Sequence, residues 1–161
     1  MLEKKLELNS LEDTVKFAKF LALHLSPGGL VGLRGPLGAG KTELVRACMR
    51  AFGVTEDICS PTFVLEAVYQ LPSTVRLKQI SHWDLYRIRT GIFDGDLLES
   101  VGRQDVITFV EWPERVPEIF ARLTVDICLD FHDTSDSSEC RILIVRVIDD
   151  HILEQAVKTK F

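Results

Sequence analysis

The chain has 161 residues, 46% of them hydrophobic and 27% charged, and a formal net charge of −5. That length fits one domain spanning 1–161 with a sizeable core, and no stretch reads as an interdomain linker. The acidic balance, with a pI near 5.4, argues against a protein that wraps nucleic acid by neutralising phosphates, and Arg46, Arg50, Arg87, Arg89 and Arg103 read as solvated surface charge.

Leu2 to Leu8 alternates loosely, as an edge strand does. Ser10 is suited to cap a helix, with Asp13 three residues on in a capping-box-like position. Leu11, Val15, Ala18, Leu21, Ala22 and Leu25 then recur at helical spacing, so a helix is predicted over 11–25, stopped by Pro27-Gly28-Gly29. Leu30 to Leu33 reads as a short buried strand and Glu43 to Phe52 as a helix closed by Gly53.

Between that strand and helix lies Gly35-Pro36-Leu37-Gly38-Ala39-Gly40-Lys41-Thr42, a complete G-x-x-x-x-G-K-[ST] pattern. Its glycines let the backbone curl so that successive N–H groups point at a polyphosphate, and the following helix adds free amides and the positive end of its dipole. Lys41 is placed to neutralise the β- and γ-phosphates and the Thr42 hydroxyl to hold Mg²⁺. The motif predicts binding of a nucleoside polyphosphate.

Ser60-Pro61-Thr62-Phe63 follows across a short connection. Thr62 suits a switch loop that reaches the γ-phosphate and Mg²⁺, and the segment reads equally as a turn set by Pro61. Thr62 to Tyr69 and Val75 to Ser81 read as two strands joined by a turn at 71–74. The second runs into His82-Trp83-Asp84-Leu85-Tyr86-Arg87. Asp84 is a candidate for Mg²⁺ support or for orienting a water, unless a salt bridge to Arg87 explains it; His82 and Trp83 read as strand-end packing.

A short helix over 96–101 stops at Gly102, and Val106 to Val110 is a buried strand ending in Glu111. An acid at the carboxyl end of such a strand is how a Walker B residue is presented, so Glu111 is the other candidate to hold Mg²⁺. Pro113 to Phe120 reads as a short helix or irregular turn. Leu123 to Phe131 and Arg141 to Ile148 alternate as a hairpin around the polar run 132–138, and a last helix is predicted over 150–158. The predicted architecture is an α/β, P-loop NTPase-like three-layer fold with a mixed parallel and antiparallel sheet flanked by helices.

Asn9 is the sole asparagine, so the N-K-x-D element that reads guanine is absent and ATP is the favoured nucleotide. Cys48, Cys59, Cys128 and Cys140 lack C-x-x-C spacing and read as buried reduced thiols. With no signal pattern and no apolar run near ~18 residues, a cytoplasmic chain is expected.

Taken together, Leu37-Gly38-Ala39-Gly40-Lys41-Thr42, Ser60-Pro61-Thr62-Phe63, His82-x-Asp84-Leu85-Tyr86-Arg87 and Glu111-Trp112-Pro113-Glu114 resemble, in order and spacing, the motifs of the TsaE (YjeE) family over about residues 8–150. That resemblance implies a small Mg²⁺-dependent ATPase, weak alone, that joins the TsaD and TsaB proteins and supports turnover of the complex making threonylcarbamoyladenosine in tRNA, touching tRNA only through that complex. It implies nucleotide contacts from Gly35, Leu37, Gly38, Ala39, Gly40, Lys41, Thr42, Thr62 and Trp112, with Thr14 near the adenine. Asp84, Lys41 and Glu111 carry turnover, and Thr42, Glu111 and Asp84 are the metal-side residues. Pro36 departs from the family, whose members often carry Asp there; no residue beyond about 120 is carried over. A small-molecule kinase and a nucleotide-sensing module without turnover are the competing readings of the same motifs.

Overall fold

The computed structural model describes residues 1–72, 77–88, 97–131 and 141–160; within these, the side chains of Thr62, Ser100, Arg141, Thr159 and Lys160 are not described. Strands are β1 (Leu2–Leu8), β2 (Leu30–Arg34), β3 (Glu66–Gln70), β4 (Gln79–Asp84), β5 (Val106–Glu111), β6 (Val125–Phe131) and β7 (Arg141–Val147). Helices are α1 (Leu11–His24), α2 (Lys41–Ala51), α3 (Leu97–Ser100), α4 (Pro117–Phe120) and α5 (His151–Lys160). The strands form one seven-stranded sheet in the order β1-β7-β6-β2-β5-β4-β3.

The four central strands β6, β2, β5 and β4 run parallel, while β3 and β7 pair antiparallel with their neighbours and β1 closes the edge against β7. Both predicted hairpins are therefore present, β3–β4 and β6–β7, and the mixed sheet is as expected. Parallel strands must be covered on both faces. Val31 and Leu33 of β2, Ile107 and Phe109 of β5 and Val125 and Ile127 of β6 pack under Phe17 and Leu21 of α1, Leu44 and Met49 of α2 and Leu153 of α5. Leu30, Trp83 and Val110 face the other way, onto Leu97 of α3 and Ile119 of α4. Alternate residues of one strand thus enter two different cores, as the period of two requires.

Local signals explain the helix starts. The Ser10 hydroxyl accepts the Asp13 N–H (3.1 Å) as the spacing predicts, while Asp13 accepts the N–H of Asn9, one residue before the cap, in place of the cap's own. Asp150 accepts the Leu153 N–H at the start of α5 and also the Ser26 N–H and hydroxyl, tying the last helix to the turn after α1. Among the described residues no helix is long and apolar enough to cross a membrane.

Four expectations change. The strand predicted to end at Ser81 runs on to Asp84. The strand predicted from Thr62 begins only at Glu66, because Pro61 opens a 3-10 turn over Pro61–Phe63 whose carbonyl takes the N–H groups of Val64 and Leu65. The helix after the phosphate loop starts two residues early, at Lys41. Cys59 is exposed and Cys128 half-buried, so of the described cysteines only Cys48 is a buried thiol, and burial raises its pKa; Cys140 lies outside the described residues. Parts of the predicted turn at 71–74, the strand start at 75, the helix start at 96 and the polar run at 132–138 also lie outside them, as does Arg89.

Candidate functional site

β2 ends at Arg34, and the chain turns through Gly35 to Gly40 into α2 at the carboxyl edge of the parallel strands, where open α/β sheets bind ligands. Gly35 has φ +128, and a Cβ there would lie 2.0 Å from the Leu129 carbonyl oxygen, so the loop is seated against the backbone of β6. Gly40 caps α2 at φ +98 and, being a glycine, has no side chain to bond the amides of the first turn. Leu37 is exposed at the loop tip and Ala39 is buried beneath it.

Lys41 is 5% exposed and its Nζ donates to the carbonyls of Gly35 and Pro36, both at 2.8 Å. The same Nζ lies 4.0 Å from the centroid of the Trp112 ring. Burial holds its pKa below the usual 10.5, against the opposing pull of Glu111 and Asp84.

Next in the helix, the Thr42 hydroxyl donates to Glu111 Oε1 at 2.7 Å. The register of β4 against β5 sets Asp84 opposite Glu111 at the strand ends, and both carboxylates are nearly buried. Asp84 Oδ1 accepts the Tyr86 N–H at 2.9 Å, while Arg87 stacks its guanidinium 4.5 Å from the Phe63 ring centroid. Trp112, next after Glu111, has a left-handed backbone (φ 59, ψ 45), which is strained for a bulky residue, and its ring meets that of Tyr86 at 5.2 Å.

These groups open onto a cleft of about 350 Å³ lined by Leu37, Gly38, Gly40, Lys41, Thr42, Asp84, Glu111 and Trp112 among others. The structure therefore brings together most of the residues singled out in the sequence. Thr14 is set apart: it lines an adjoining cavity of about 420 Å³ between α1 and the loop, which shares Gly40 and Glu43 with the first and also contains Ala39. Thr62 is placed in the 3-10 turn by its backbone alone, and its side chain is not described.

His82, expected to be strand-end packing, has its Nε2 3.0 Å from Glu111 Oε1. The signal was the period of two: His82 and Asp84 share a strand face, and Trp83 turns to the opposite core, where it packs as expected.

A phosphate-type loop joining a central parallel strand to a helix, with acids at the ends of the neighbouring strands, defines a P-loop NTPase-like protein. A family model described as "Threonylcarbamoyl adenosine biosynthesis protein TsaE" matches residues 8–140. The chain belongs to the TsaE family. It is 34% identical over 145 residues to the tRNA threonylcarbamoyladenosine biosynthesis protein TsaE of Rickettsia bellii, covering 88% of this chain and 96% of that one. The protein of the same name from Haemophilus influenzae is 32% identical, over 83% of each chain. The crystal structure of Bacillus subtilis YdiB superposes with a TM-score of 0.72 over 98% of this chain and 93% of that one, at 22% identity.

Proposed function

We propose that this protein is an ATPase that acts in the threonylcarbamoyladenosine modification of tRNA, binding and hydrolysing ATP to support turnover of a TsaD–TsaB complex in the cytoplasm. The observation that carries the reading is the convergence of Lys41, Thr42, Asp84 and Glu111 on one cleft at the carboxyl edge of the parallel strands. Family membership supports the pathway.

In this reading the loop amides from Gly35 to Thr42 cradle the phosphates, and Lys41 leaves its carbonyl partners to neutralise the β- and γ-oxygens. Among the described residues no cluster of three or more His, Cys, Asp or Glu side chains forms a metal cage. That fits Mg²⁺, which is commonly held by one or two carboxylates together with substrate phosphates. Thr42, Glu111 and Asp84 offer it hard oxygen donors, and Mg²⁺ there would neutralise charge on the transferring phosphoryl group. Asp84, at the strand end, orients the attacking water. Trp112 and Tyr86 wall the cleft against solvent, Thr62 senses the γ-phosphate, and Thr14 borders the adjoining cavity, proposed for adenine. The acidic chain suits docking to proteins, with tRNA contacted only through them.

The test is release of free phosphate from ATP and Mg²⁺ by the purified chain, alone and with TsaD and TsaB. Slow release that rises with the partners is expected, and neither association nor stimulation would contradict the proposal. Label from γ-phosphate on a metabolite would instead favour a kinase. Asp84→Asn lowers turnover by about 100-fold or more while affinity for ATP without Mg²⁺ changes little; equal loss of both assigns the residue to binding.

A further inference from the structure

His82 is fully buried, on the β4 face that also carries Asp84. Its register partner across the β4–β5 ladder is Phe109, and Ile80 lies two residues before it, both in the large apolar core. An apolar side chain would suit that position better than an imidazole. Among the described residues the ring makes one hydrogen bond, Nε2 to Glu111 Oε1 at 3.0 Å, and its buried Nδ1 has no hydrogen-bond partner. An ionised carboxylate only accepts, so Nε2 is the donor in this contact, and Nδ1 is left unanswered. Burial of such an atom is unfavourable, so the contact to Glu111 is what the imidazole offers.

Glu111 Oε1 receives two donors, the Thr42 hydroxyl from α2 and the His82 ring from β4. Two donors from different elements on one oxygen fix the rotation of the carboxylate, which a single hydroxyl contact would leave free to swing. We infer that His82 is a positioning residue that locks the Glu111 carboxylate beside the Thr42 hydroxyl and so preorganises this oxygen pair for a divalent cation. The inference rests on the proposed metal role of Glu111 and needs no change in the charge of the ring. Partners behind a metal ligand typically alter metal affinity 10–100-fold when lost.

The experiment is calorimetry of a non-hydrolysable ATP analogue, with and without Mg²⁺, on the full chain and on His82→Leu, His82→Gln and Glu111→Ala, with melting curves as a folding check. His82→Leu should keep its Mg²⁺-free affinity while the gain on adding Mg²⁺ falls by about 10-fold. His82→Gln, whose amide N–H reaches the Nε2 position, should restore that gain; a purely structural role predicts no such rescue. An undiminished Mg²⁺ gain in His82→Leu, beside a lost one in Glu111→Ala, overturns the positioning role alone. A retained gain in Glu111→Ala overturns the metal role itself. Should His82→Leu fail to fold, His82→Asn is too short to reach Glu111, and equal gains in the Asn and Gln variants overturn the inference.

Discussion

The ammonium of Lys41 rests 4.0 Å from the centroid of the Trp112 ring, with the Gly35 and Pro36 carbonyls at 2.8 Å. The lysine is thus held in place by the loop it serves and by an indole whose backbone is itself strained at φ 59. A bound polyphosphate outbids a cation–π contact, because a charge-assisted bond to phosphate is the stronger of the two. Nucleotide binding is therefore expected to draw Lys41 off the indole and change the emission of Trp112. Trp112→Phe should remove most of that response, since the other indole, Trp83, is buried in the apolar cluster against which Trp112 packs, and the Lys41 contact is made by Trp112. Lys41→Ala should weaken nucleotide binding by about 10-fold or more. An unchanged emission on saturation, or an unchanged affinity in Lys41→Ala, contradicts this exchange of partners.

The same lysine sets a pH dependence. Burial lowers its pKa below 10.5 in the free protein. Phosphate favours the charged form, so binding raises that pKa and takes up protons where the free amine has begun to form. Affinity is complete well below the free-protein value and falls as pH rises through it, and the fall starts on the acid side of 10.5. For folding the sign is reversed: a lysine pKa lowered by folding disfavours the native state at low pH, and that penalty fades as pH climbs from the folded value to the unfolded one. Calorimetry from about pH 7 to about pH 10 in buffers of differing ionisation heat reads the proton uptake directly. Lys41→Met should remove it, and uptake that persists in that variant assigns the proton elsewhere.

The sequence made the phosphate loop legible because its information is local: glycine spacing, a lysine and a hydroxyl residue between an apolar strand and a helix. Asp84 and Glu111 were legible for a similar reason, each being an acid that ends an apolar run. What was hidden is pairing across distance. Thr42 and Glu111 are 69 residues apart and His82 and Glu111 are 29 apart, and only the β4–β5 register and the docking of α2 bring them to one oxygen. The late start of β3 was hidden by competition, since Thr62 to Tyr69 has strand-like composition while the Pro61 carbonyl captures two of its amides. Asp126 lies in a strand whose alternation carries no sign of its partner Arg34, 92 residues away.

Gly35 separates conformational strain from collision. Its φ of +128 is disfavoured for L side chains, and an added Cβ would also meet the Leu129 carbonyl oxygen at 2.0 Å. Gly40 shares the positive φ, at +98, yet its nearest neighbour is a flexible one, Leu129 Cδ2 at 4.0 Å. Gly35→Ala should therefore lower unfolding stability by about 3 kcal/mol or more, and Gly40→Ala by about 1 kcal/mol. Urea titration of the nucleotide-free protein distinguishes them. Equal losses would show that β6 yields to the new methyl group.

Asp126 gives the last prediction. It is 3% exposed on β6 and takes a two-pronged contact from Arg34 of β2, at 2.7 and 2.6 Å, and a third from Arg146 of β7 at 3.2 Å. Arg146 goes on to Glu3 of β1 at 2.6 Å, so one charge chain crosses four adjacent strands. The hydrogen bond to Asp126 is also the chief cause that raises the Arg34 pKa. Removing the shared carboxylate leaves Arg34 partly buried without its counter-charge, which is the costly way to break such a network. Asp126→Ala should thus destabilise the protein by about 3 kcal/mol, whereas Glu3→Ala, at the exposed end, should stay within about 1 kcal/mol. Asp126→Leu combined with Arg34→Met should recover much of the loss, since apolar residues of similar volume often replace a buried pair without penalty. A double variant as unstable as Asp126→Ala would mean that the pair fixes the β2–β6 register by geometry rather than by relieving its own buried charge.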